Sequence, residues 1–304
     1  MLRCLIFVFL FAAAPVCALQ PVRLADAVYA FIGEPGEIGL ANQGNVGNSG
    51  FIVGSSGVIV IDTGVSYRHG RQMLAAIRTV TDKPIALVII THAVQEFVFG
   101  AAAFTEIGAQ LLTHAKSAEL MRSRCNHCLE NLVIQLGADA MAGTRLIVPE
   151  RTLEQSQSLQ IAGREIDILY FGWASTPGDA VVLDRATGVA FAGGLITNRR
   201  IPELRDGELA GWLRALAALK RTSARTIVPG YGDVGGLELA DLTAAYLRAL
   251  DDQVQRLYQR GATLSETVDS VALPAYSDWD QYPALHRQNA LHRFLQLETE
   301  ELSR

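Results

Sequence analysis

Gly57-Val58-Ile59-Val60-Ile61-Asp62-Thr63-Gly64, then the wholly apolar Ile85-Ala86-Leu87-Val88-Ile89-Ile90, then the loop Thr91-His92-Ala93-Val94-Gln95-Glu96-Phe97, together decide the fold. The first stretch is rich in β-branched residues and runs into a tight Thr63-Gly64 turn, which predicts a strand. Between the first and second stretches, Arg68 to Val80 carries Met73, Leu74, Ile77 and Val80 at helical spacing, and Asp82-Lys83-Pro84 stops the helix. A strand that is apolar at every position is covered on both faces. Ile85 to Ile90 is therefore expected inside a layered α/β domain, with His92 in the loop that follows it.

Working outward, Val22 to Gly33 and Phe51-Ile52-Val53-Gly54 read as further strands on the N-terminal side. On the C-terminal side, Leu159-Gln160-Ile161, Arg164 to Tyr170, Ala180 to Leu183 and Val189-Ala190-Phe191-Ala192 form a second group, with Arg185-Ala186-Thr187-Gly188 as a hairpin turn. Glu208 to Lys220 carries Leu209, Trp212, Leu213 and Leu216 on one stripe, a helix; Thr226-Ile227-Val228 then gives a last strand, ending at Pro229-Gly230-Tyr231-Gly232. Two groups of strands with helices outside each predict a four-layer αββα sandwich whose strand-end loops converge on one edge. The expected organisation is a leader over 1–18, a sandwich domain over 19–236 and a helical extension over 237–304 packed on it. Within the extension, Leu237 to Arg260, Leu264 to Val271 and His286 to Leu302 read as helices.

The leader expectation rests on Met1-Leu2-Arg3, an apolar run from Cys4 to about Ala14, and Pro15-Val16-Cys17-Ala18: a charged start, a short greasy middle and a small-residue end, with cleavage after Ala18. The apolar run falls short of the roughly 20 residues that span a bilayer, and Val16 is not the small residue that a lipid anchor on Cys17 would want. An exported, periplasmic or secreted chain with no membrane span is expected. Without Arg3, 25 basic residues face 31 acidic ones, about −6, and no basic block occurs, which argues against nucleic acid as a partner. Of four cysteines, Cys125 and Cys128 lie outside the leader. Export favours a local disulfide between them; free thiols, or a C-x-x-C redox or metal role, remain open.

Five markers stand in order: Gly57 to Gly64; Thr91-His92 with Phe99-Gly100 and Phe104; Thr176-Pro177-Gly178-Asp179; Phe191-Ala192-Gly193-Gly194; and Val228-Pro229-Gly230-Tyr231-Gly232. Through them the chain resembles the metallo-β-lactamase-fold hydrolases, over about Asn42 to Val234. It is similar in particular to an exported branch known as the zinc metallohydrolases of quinoprotein relay systems, and the segment His286-Arg287-Gln288-Asn289 also looks like that branch. The resemblance implies two zinc ions, held by imidazoles and carboxylates, that lower the pKa of a bridging water. It also implies a loop reading T-H-x-H-x-D-H.

Carried over residue by residue, the loop ligands fall on His92, Val94, Glu96 and Phe97. The later histidine falls on Ser175, the bridging aspartate on Gly194 and the final histidine on Tyr231. Val94, Phe97 and Gly194 offer no side-chain lone pair, so a dinuclear centre is not expected. No metal or other cofactor is expected; zinc enters only under the alternative, an active hydrolase with a single ion on His92 and Glu96 helped by Tyr231 or Asp62. Asp62 and Asp179 are each expected as a turn residue or as a group that supported the former ligands. His69, His114, His127, His286 and His292 show no ligand spacing and are expected to cap helices or lie at the surface. A metal-free serine arrangement needs Ser175 within hydrogen-bond reach of His92, and Ser175 lacks a G-x-S-x-G setting. The sequence therefore suggests a pseudoenzyme whose cleft floor is more apolar and aromatic than an enzyme's. Such a cleft suits a small organic ligand or a periplasmic protein partner, a quinoprotein dehydrogenase by family analogy.

Overall fold

The computed structural model describes residues 19–302, so the leader expected over 1–18 lies outside the described residues. The elements run β1 (Val22–Ala25), β2 (Val28–Phe31), β3 (Ser49–Val53), β4 (Val58–Ile61), α1 (Tyr67–Val80), β5 (Ile85–Ile90), α2 (Gln95–Val98), α3 (Ala101–Thr105), β6 (Leu111–His114), α4 (Ala115–Leu136) and β7 (Arg151–Leu153). They continue with β8 (Gln157–Ile161), β9 (Arg164–Tyr170), β10 (Ala180–Asp184), β11 (Val189–Thr197), α5 (Leu209–Leu219), β12 (Thr226–Tyr231), α6 (Glu238–Gln259), α7 (Leu264–Ser270) and α8 (Tyr282–Leu302). One sheet has the order β1-β2-β3-β4-β5-β6-β7 and the other β12-β11-β10-β9-β8. The strand expected over Val22 to Gly33 is broken into a hairpin, because Ala27 at its turn takes a φ of 58°.

Side-chain alternation builds the layers. Ile59, Ile61, Leu87 and Ile89 point into a core shared with Ile166, Ile168, Val182 and Phe191 of the other sheet. Their neighbours Val58, Val60, Val88 and Ile90 point the other way, against Met73, Ile77, Phe104 and Met121 of α1, α3 and α4. On the far side, Val181, Leu183, Ala190 and Leu195 meet Trp212 and Leu216 of α5 and Leu247 and Leu250 of α6. Because β4 and β5 are buried on both faces, they read as continuous apolar runs rather than alternating ones. The result is an αββα sandwich. The helical extension has no core of its own: Leu239, Trp279, Ala290 and Phe294 belong to the same cluster as Leu195 and Ile227, so packing marks no boundary near residue 237.

Parallel pairing puts the C-terminal ends of β4 and β5 at one edge, and β12 ends beside β11 in the same sense. In open α/β sheets this is the edge where loops gather and ligands bind.

Candidate functional site

At that edge the turn after β4 presents Asp62, held at a φ of 60°. Its carboxylate accepts the Thr91 backbone N–H at 2.8 Å through Oδ1 and the Thr91 hydroxyl at 2.8 Å through Oδ2. Thr91 Oγ1 also lies 2.8 Å from His92 Nδ1. Above about pH 7, where Asp62 is ionised and draws the hydroxyl proton, the Thr91 oxygen accepts from His92 Nδ1–H, and Nε2 is left as a bare acceptor. His92 is 1% exposed, and Nε2 has no hydrogen-bond partner. Burial pushes the Asp62 carboxyl up to about 7, against the two Thr91 hydrogen bonds, and pushes His92 down to about 3.

The other expected site residues gather around this triad. His92, Val94, Glu96, Ser175, Gly194 and Tyr231 line one cleft of about 220 Å³, while Phe97, 1% exposed, lies beneath them. The Phe97 ring packs 4.3 Å from the His92 ring and 5.4 Å, edge to face, from the Tyr231 ring. A Cβ on Gly47 would come within 2.7 Å of Phe97, so that glycine makes room for the ring. Tyr231 closes β12, whose end is tied down by Asn48 Nδ2 donating to the carbonyls of Pro229 at 2.9 Å and Gly232 at 2.7 Å. Its phenol is held well above the usual range by burial first and by the neighbouring Glu96. Burial likewise raises Glu96, and Glu96 Oε2 has no partner.

Gly194 is confined. An ideal Cβ there would stand 2.5 Å from Ser175 Oγ, 2.8 Å from His92 Cδ2 and 3.0 Å from His92 Nε2. The neighbouring Gly193 has a φ of 49°, and a Cβ on it would meet Thr91 Oγ1 at 2.4 Å. Ser175 does not reach His92. Its hydroxyl donates to Asp179 Oδ1 at 2.9 Å, and the serine arrangement considered from sequence is not formed. Asp179 also accepts the Thr176 N–H at 2.7 Å and the Thr176 hydroxyl at 2.8 Å, knotting the turn before β10, and burial raises its carboxyl to about 6. Among the described residues, no group of three or more His, Cys, Asp and Glu side chains could hold a metal ion.

Three sequence expectations need correction here. The expectation of an apolar, aromatic cleft floor left out the walls: the floor does carry Val94, Phe97 and Tyr231, but Glu37, Arg200, Glu203, Arg205 and Asp206 also line the cleft. Most of this charge comes from the Arg199–Asp206 loop after β11, visible as a charged run in the sequence but placed over the site only by the fold. The Cys125–Cys128 disulfide is absent, and both residues are free thiols one turn apart in the middle of α4. Their mutual hydrogen bond raises Cys125 and lowers Cys128 to about 7, with Arg205 adding to the lowering. Finally, His114 does cap α4, accepting the Lys116 N–H, but His69 and His286 are buried packing residues rather than caps or surface groups. Burial pushes His69 down to about 4, and His286 Nδ1 pairs with the Tyr246 hydroxyl at 3.0 Å.

Asn289 of α8, fully buried, fixes the cleft wall. It accepts the Leu204 N–H at 2.8 Å and donates to the Pro202 carbonyl at 2.7 Å. Asn289→Ala strands both backbone groups away from water, and a loss of about 2–3 kcal/mol of folding stability is expected, read from the shift of the denaturant midpoint at unchanged slope.

Comparison with known proteins agrees with this architecture. The metallo-beta-lactamase superfamily model matches residues 43–231, more than half of the sequence, and the chain belongs to that superfamily. It is 24% identical over 265 residues to the linear primary-alkylsulfatase of a Pseudomonas species, covering 72% of this chain and 49% of that protein. It is 28% identical over 114 residues to the metallo-beta-lactamase type 2 of Bacteroides fragilis, covering 36% of this chain and 46% of that one. The chain spans about half the length of the curated relatives it matches. Among solved structures, a metallo-beta-lactamase from Pontibacter korlensis superposes with a TM-score of 0.62 at 19% identity, covering 76% of this chain and 99% of its own. One from Hirschia baltica gives 0.60 at 19% identity, covering 75% and 97%. At such identity the likeness is one of fold.

Proposed function

We propose that this chain is a metallo-β-lactamase-fold protein that has given up most of its zinc ligands and acts by binding a small organic ligand or a protein partner rather than by zinc-dependent hydrolysis. The space around Gly194 carries the reading. Where the family resemblance puts a carboxylate shared by two ions, a Cβ would stand 2.5 Å from Ser175 Oγ and 2.8 Å from His92 Cδ2, so both side chains would have to move to admit it. The Phe97 ring lies against His92 and Tyr231, where a further imidazole would be needed. Val94, Phe97 and Gly194 bring no donor atom, and a catalytic zinc wants three protein ligands. The residues present do not fit a dinuclear centre. The Met1 to Ala18 segment supports export to the periplasm, and the resemblance to the quinoprotein-relay branch, which the His286-Arg287-Gln288-Asn289 segment shares, supports by family analogy a place beside a quinoprotein dehydrogenase or its cytochrome.

One observation favours a second reading, an active hydrolase with a single ion: His92 Nε2 and Glu96 Oε2 are both unpartnered. Metal analysis of the purified protein after dialysis against trace zinc separates the two. No stoichiometric metal is expected, which would retire the hydrolase reading; about one tightly held ion per chain would overturn the reading of a dismantled zinc site instead.

A further inference from the structure

The cleft holds two buried acceptors with nothing to accept. His92 Nε2 has no partner although the ring is 1% exposed, because Thr91 claims only the Nδ1 side. Glu96 Oε2, on the same cleft, has none either. A buried polar atom left without its hydrogen bond costs free energy, so each calls for a donor from a ligand.

Charge narrows the donor. The walls bring Glu37, Glu96, Glu203 and Asp206 against Arg200 and Arg205. Both guanidiniums are already engaged: Arg200 with Asp280 at 2.5 Å and the Gly36 carbonyl at 2.8 Å, and Arg205 with Glu203 and Asp206, each at 3.4 Å. Asp206 is further paired with Arg124. Among the described residues, Glu37 and Glu96 form no ion pair, so the cleft keeps an excess of negative charge. Anions such as sulfate esters are repelled by such a field, and cations are concentrated in it.

Resting on the reading that no zinc centre is held, the geometry points to a small organic ammonium ion as the occupant of this cleft, its N–H groups donating to His92 Nε2 and Glu96 Oε2. An ammonium presents three donors, which two separated acceptors can share without the fixed coordination that a metal demands. The volume of about 220 Å³ lies below the roughly 300–1,000 Å³ usual for drug-sized ligands, so the ion is small.

Calorimetric titration of the full chain with n-butylammonium, n-butanol and butyrate tests this, with Zn²⁺ as a fourth titrant. Binding of n-butylammonium is expected, weakened about tenfold or more when the ammonium is replaced by the alcohol or the carboxylate. Glu96→Gln should weaken it by about tenfold, and Glu37→Gln, at an exposed position that folding does not depend on, by less. Equal affinity for n-butanol, unchanged affinity in Glu96→Gln, or no n-butylammonium binding at millimolar concentration would each overturn the proposal. If n-butylammonium fails and zinc also fails to bind, only the ligand class falls. Stoichiometric zinc displacing n-butylammonium would overturn both this inference and the reading beneath it.

Discussion

In Asp62→Asn, folding stability drops by about 1.4 kcal/mol for each unit of acidification between about pH 4 and pH 6.5, over and above whatever the parent protein loses. The reason is a proton count. In the parent, His92 is neutral throughout this window because burial holds it near 3, whereas in the unfolded chain it is charged below 6.5. A base depressed on folding loses its contribution as pH falls. Asp62 runs the other way: raised to about 7 in the fold and ordinary at 3.8 when unfolded, it is protonated in the native state and ionised in the unfolded one. Each state thus carries one proton on the pair, and the pair contributes no slope.

The amide cannot titrate, so the unfolded state binds one proton more than the native state, and stability must rise with pH. The accumulated difference across the window is about 3 kcal/mol. His69 and Asp179 are buried in both proteins and cancel in the comparison. Urea melts of both proteins at several pH values give the slopes, and parallel slopes would refute the coupling. The substitution has a second consequence. An amide N–H facing Thr91 Oγ1 turns the hydroxyl proton onto His92 Nδ1, which places the imidazole proton on Nε2 and ends its role as an acceptor.

Gly194→Asp should cost about 3 kcal/mol or more. Its Cβ would enter space already held by Ser175 Oγ and by the edge of the His92 ring, and a carboxylate would follow into a buried site. His92 cannot simply retreat, because Phe97 lies against its ring and Thr91 holds Nδ1. Restoring this one carboxylate is therefore expected to destabilise the chain and recover no zinc. Rebuilding the site needs Val94, Glu96, Phe97, Ser175 and Tyr231 changed together with Gly194. A Gly194→Asp variant that melts like the parent and takes up zinc would show that the site retains room the structure does not display.

The sequence by itself determined the layers, because that information is local. Val58-Ile59-Val60-Ile61 and Ile85 to Ile90 are apolar at every position, so each strand had to be covered on both sides, and helical spacing in α1 and α5 supplied the covers. It also determined which positions lack a lone pair, since Val94, Phe97 and Gly194 carry that property in their covalent structure. Only the tertiary structure decided what the remaining polar groups do. Ser175 turns to Asp179 and not to His92, the two cysteines stay thiols within one helix, and Glu37 reaches a cleft shared with Glu96 and Arg205. Glu37, Glu96 and Arg205 are far apart along the chain, and even for the near pairs Ser175–Asp179 and Cys125–Cys128 no periodicity records which partner a side chain takes. Hydrogen bonds and charge pairs are fixed by distances of a few ångströms, which exist only once the two sheets have closed on each other.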